Sequence, residues 1–73
     1  MISGLSAQEL GVLARNGASL EIDGKSLPSS DICSLAREMT RGSELVVHNS
    51  SRMFFQELCQ IARASGISNV RFL

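Results

Sequence analysis

Two short polar stretches carry most of the side chains with chemical potential: "DGKS" (Asp23 to Ser26) and "HNSSR" (His48 to Arg52). His48 is the sole histidine, Ser50 and Ser51 lie close by, and Asp23 stands in the matching stretch. A base, a nucleophile and an orienting carboxylate are therefore nominally present. Neighbours in one turn do not present triad geometry, and the sequence offers no oxyanion hole. No catalytic residue is assigned, and the chain reads as non-enzymatic. The same turns suit binding better: Lys25, Ser26, His48, Asn49, Ser50, Ser51 and Arg52 form a candidate pocket for a small anion or ligand. Gly, Ser, Asn and Asp are also ordinary turn formers, and no GxxxxGK[ST] phosphate loop is present.

Cys33 and Cys59 are the only cysteines. They hold equivalent helical positions, and packed neighbouring helices lie about 8–10 Å apart. A disulfide wants Cα atoms within roughly 7 Å, and a metal would need more ligands than two thiols and a distant histidine. Partly buried structural thiols at helix contacts are expected, with no cofactor and no metal.

Arginines recur in a third pattern. "GVLAR", "CSLAR" and "CQIAR" end at Arg15, Arg37 and Arg63. A row of three arginines would suit phosphate, nucleic acid or an acidic partner. Seven basic residues balance seven acidic ones, whereas nucleic-acid binders carry a basic excess. Nucleic-acid binding along this edge is accordingly the third reading, and helix-dipole complementarity explains the arginines without a ligand.

The arginines belong to longer copies. Leu10, Ile32 and Leu58 align; then Leu13, Leu35 and Ile61; then Ala14, Ala36 and Ala62. Glu9, Asp31 and Glu57 precede them. Downstream, Leu20, Leu45 and Val70 form a column, each 25 residues apart, as do Ile22, Val47 and Phe72. The chain divides into copies at about 5–23, 27–48 and 53–73 of one domain, residues 1–73. Apolar residues at i, i+3 and i+4 make the first part of each an amphipathic helix. Ser6 with Glu9 fits a capping box, Pro28 suits a first turn, and Gly17, Gly42 and Gly66 are candidate helix stops. The alternating runs "SLEID", "ELVVH" and "NVRFL" are strands.

Along those strands one face is uniformly apolar, while the other carries Glu21/Val46/Arg71 and Asp23/His48/Leu73. A sheet covered on both faces would read as continuous apolar runs. The expected fold is thus α/β: three α-β repeats, a three-stranded parallel sheet in order 1-2-3, helices on one face, and right-handed crossovers. With Leu20, Ile22 and Leu27 in "SLEIDGKSL", this short solenoid resembles the leucine-rich repeat family, whose units pair a strand with a helix. No Asn occupies the family's ladder position.

Repeat arrays need caps, and no capping unit follows the third strand. Its edge, or the open sheet face, is therefore expected to form a homodimer contact or bind another protein, through Val46, Arg71, Phe72 and Leu73. Phe54 and Phe55 are either an exposed patch or an improvised cap on the core. The N-terminus lacks a signal peptide's basic and apolar regions, and no apolar run is long enough to span a bilayer. A reduced cytoplasmic location without membrane association is expected.

Overall fold

The computed structural model describes residues 4–66 and 69–73. Three helices alternate with three strands: α1 (Ala7–Arg15), β1 (Leu20–Asp23), α2 (Ser29–Glu38), β2 (Glu44–His48), α3 (Phe55–Ser65) and β3 (Asn69–Phe72). The strands form one open parallel sheet in the order β1-β2-β3. Its register follows the sequence columns: Leu20 faces Leu45, which faces Val70, and Ile22 faces Val47, which faces Phe72.

Each helix starts and stops for local reasons. At α1 the Glu9 amide donates to Ser6 Oγ (3.1 Å), and the Ser6 amide donates to Glu9 Oε1 (2.9 Å), a complete capping box. Gly17, at φ +91°, then closes the helix: its amide donates to Ala14 O, and the Ala18 amide donates to Leu13 O. Those two bonds satisfy carbonyls that the last turn leaves open. Pro28 sits just before α2 as its N-cap rather than inside the first turn. Gly42 is no helix stop either: α2 ends at Glu38, and Gly42 belongs to the turn entering β2. At α3 only half a capping box forms, because the Phe54 amide donates to Glu57 Oε1 (3.0 Å) and a phenylalanine ring cannot accept in return. The connection from Gly66 passes into residues 67–68, outside the described residues.

The core lies between the helices and one sheet face. Ile22, Ile32, Leu45, Val47 and Ile61 are its largest fully buried side chains, each contributing roughly 1.5–3 kcal/mol by removal from water. Met53, Val70 and Phe72 pack around it, half-buried. A polar link ties the turn before β2 to the turn after α1: Ser43 Oγ donates to Gly17 O (3.0 Å) and lies 2.9 Å from Thr40 Oγ1.

Members of one column do not share one environment. Leu35 and Ile61 are 4% and 0% exposed, but Leu13 is 37% exposed. Cys33 is buried, whereas Cys59 is exposed, against the expectation of two partly buried thiols. The cause is order: α2 has a helix on each side, while α1 and α3 each have one bare flank.

Candidate functional site

The two polar turns meet at the carboxyl edge of the sheet, around a carboxylate. Asp23 Oδ1 accepts from the Lys25 amide (2.9 Å) and from Asn49 Nδ2 (2.9 Å), and Oδ2 accepts from Ser26 Oγ (3.2 Å). These bonds, the Lys25 amide foremost and Asn49 next, hold the Asp23 carboxyl below its ordinary pKa. Asn49 reaches Asp23 from a left-handed conformation (φ 61°) that asparagine tolerates well. Ser50 spends both its amide and its hydroxyl on Leu73 O, at 2.9 and 3.0 Å. Ser51 and Arg52 are exposed, and their short 3-10 turn leads to Met53. Ser26, Asn49 and Ser50 thus donate to a carboxylate and a carbonyl already present, while Lys25, Ser51 and Arg52 stay exposed.

Asp23 and His48 are register neighbours but not partners. Asp23 curls into its own turn, and His48 Nε2 lies instead 2.7 Å from Glu21 Oε1. An ionised carboxylate only accepts, so Nε2 is the donor in this contact. The bond holds the Glu21 carboxyl below its ordinary pKa. Glu21 could have been found from the strand columns, since diagonal neighbours on one sheet face lie within reach of long side chains.

That pair and a second one frame the open sheet face. Arg71 Nη1 lies 3.7 Å from Glu44 Oε2, on the other side of Val46. Glu21 and Arg71 flank Val46 in register, and Val46 is only 6% exposed. Val46 is therefore not a free apolar surface, although its isolation among polar columns made it look like one.

The arginine row is not uniform. Arg15 Nη1 donates to Glu38 Oε2 (2.9 Å) across α1 and α2. Arg37 and Arg63, with no ion pair among the described residues, line a shallow groove of about 490 Å³ between α2 and α3 with Ser34, Gln60 and the edge of Cys33.

The largest exposed apolar side chains gather at the two ends of the stack. At one end Phe54 is 76% exposed, Phe55 78% and Leu73 53%, beside the bare edge of β3. "MFF" therefore divides: Met53 packs on the core, and both phenylalanines face outward. At the other end Val12 and Leu13 on α1, and Leu5 just before it, are exposed. The Val12 patch had a sequence signal, because the matching positions in α2 and α3 are Ser34 and Gln60.

Among the described residues no helix is long and apolar enough to cross a membrane, and no three His, Cys, Asp or Glu side chains group as metal ligands would. No protein-family model, no curated protein and no solved structure matches this chain.

Proposed function

We propose that this chain is a non-enzymatic protein-interaction module that self-associates, or binds a protein partner, through the end of the sheet where β3 and α3 lie. The observation that carries this reading is the coincidence of Phe54, Phe55 and Leu73, all largely exposed, with an unpaired strand edge. Exposed aromatic clusters and open edges each favour association. The open sheet face is the weaker candidate, since Val46 is already covered. Sedimentation velocity across a concentration series tests self-association: a sedimentation coefficient that rises with concentration is expected. A monomer throughout, to high micromolar concentration, together with no partner-induced change at Phe54 or Phe55, would count against the module.

A second reading, anion binding, draws on Arg37 and Arg63, which line one groove and have no ion pair among the described residues. It replaces the turn residues with a place where two cations remain available. Titration with inorganic phosphate, followed by NMR, tests it: shifts confined to Ser34, Arg37, Gln60 and Arg63 are expected, and shifts at Lys25 and Ser50 would move the site back to the turns.

A further inference from the structure

Each helix has a forward flank and a backward flank. Where α1 meets α2, Gly11 and Arg15 face Leu35 and Glu38. Gly11, Cys33 and Cys59 share the forward column, while Leu13, Leu35 and Ile61 share the backward one. Gly11 and Cys33 are buried, as are Leu35 and Ile61. The unfilled positions are Cys59 on α3, forward, and Leu13 on α1, backward. The two ends of the molecule thus carry the two halves of one kind of helix contact.

Three features make the halves complementary rather than merely bare. Bulk is added on both: Phe55 stands where α1 and α2 have Ala7 and Ser29, and Val12 stands where α2 and α3 have Ser34 and Gln60. The strand edges match, because β3 and β1 are the two open edges of a sheet whose pairings are all parallel and in one register. The charges match too. Glu21, Val46 and Arg71 share one register row, so a β1 added to β3 in the same register sets Glu21 opposite Arg71, and opposite charges meet across the contact.

We propose that copies of this chain associate head to tail, with the α3–β3 end of one against the α1–β1 end of the next, so that the parallel sheet continues from copy to copy. This rests on the self-association reading and gives it a geometry. A head-to-tail contact is heterologous, so it extends unless rotation closes a ring. A symmetric β3-to-β3 dimer would stop at two.

Two exposed substitutions separate these outcomes. Phe55→Arg spoils the forward end and Val12→Arg spoils the backward end, with circular dichroism confirming that each variant keeps its helices. Phe55→Ser, matching Ser29 of α2, replaces the first variant if it loses helix. The wild type is expected to grow beyond dimer with concentration. Each variant alone is expected to need roughly tenfold more protein, or more, for half association. An equimolar mixture is expected to form a dimer of one Phe55→Arg and one Val12→Arg chain, identified by native mass spectrometry, because each supplies the end the other lacks. A dimer that persists in the Val12→Arg variant alone, or a mixture that stays monomeric while the wild type associates, overturns the head-to-tail contact and leaves self-association standing. A wild type that stays monomeric overturns both.

Discussion

Glu21 Oε1 and His48 Nε2 lie 2.7 Å apart across β1 and β2, one diagonal step from the register pair Asp23 and His48. With Arg71 and Glu44 on the far side, a hydrogen bond and an ion pair flank Val46, the apolar side chain at the middle of that face, which is buried. The open face of the sheet is consequently polar to anything that approaches it. The largest exposed aromatic and aliphatic side chains lie at the ends instead.

The pair also sets a pH dependence. Hydrogen bonding from His48 lowers the Glu21 pKa, and the Lys25 amide, then Asn49, lowers that of Asp23. A carboxyl with a depressed folded pKa binds fewer protons folded than unfolded, so its stabilisation is complete above the ordinary carboxylate range, about pH 4, and is lost as pH falls below it. Melting temperature is expected to drop between about pH 5 and about pH 3. Glu21→Gln should shallow that drop only modestly, because the pair is exposed and screened. Identical acid limbs for the wild type and Glu21→Gln would show that the His48 contact contributes nothing to folding.

Strand register was the most legible property of this chain. Alternation along "SLEID", "ELVVH" and "NVRFL" fixes which residues face the helices, and the constant spacing of 25 aligns Leu20 with Leu45 and Val70, as the register does. The recurring apolar spacing also disclosed the helices: Leu10 and Ala14, like Ile32 and Ala36, turn into the core. What the columns concealed was position within the stack. Leu13 and Leu35 read alike, yet only Leu35 has a helix on its backward side; Cys33 and Cys59 diverge for the opposite reason. Partners within the candidate site were hidden for another reason. Asp23 and Asn49 both prefer to bond within turns, so the carboxylate nearest His48 in register was already engaged.

Gly24, by sequence one more turn former in "DGKS", is a point of close approach. A Cβ there would meet Met53 Sδ at 2.9 Å, His48 O at 3.0 Å and Val47 Cγ1 at 3.1 Å. Met53 can swing aside; the His48 carbonyl cannot, because it accepts from the Gly24 amide at 2.8 Å. Gly24→Ala is expected to cost about 1–3 kcal/mol, read as a lower urea midpoint with unchanged slope. An unaltered midpoint would mean that the turn has room the close contacts deny.

Gly11 is the opposite case. It lies inside α1, and a Cβ there would meet only Glu38 Cγ at 4.0 Å, an ordinary contact. Gly11→Ala should therefore stabilise the protein by about 0.5–1 kcal/mol, through reduced freedom of the unfolded chain. A lower urea midpoint would indicate that α1 and α2 cannot accept one more methyl group between them.

Thiol reactivity reads the two flanks directly. Both cysteines are free, Cys33 closed in by α2 and α3, and Cys59 open on the bare side of α3. In dilute protein a thiol reagent should modify Cys59 at once, while Cys33 waits for local opening. Mass spectrometry should then find one fast and one slow addition. As concentration rises into the associating range, the Cys59 reaction should slow toward that of Cys33, because a second copy's α1 covers the same flank. Phe55→Arg should keep Cys59 fast at every concentration. Equal rates for the two thiols in dilute protein would contradict the burial difference itself. A fast Cys59 in associated wild-type protein would place the contact away from α3.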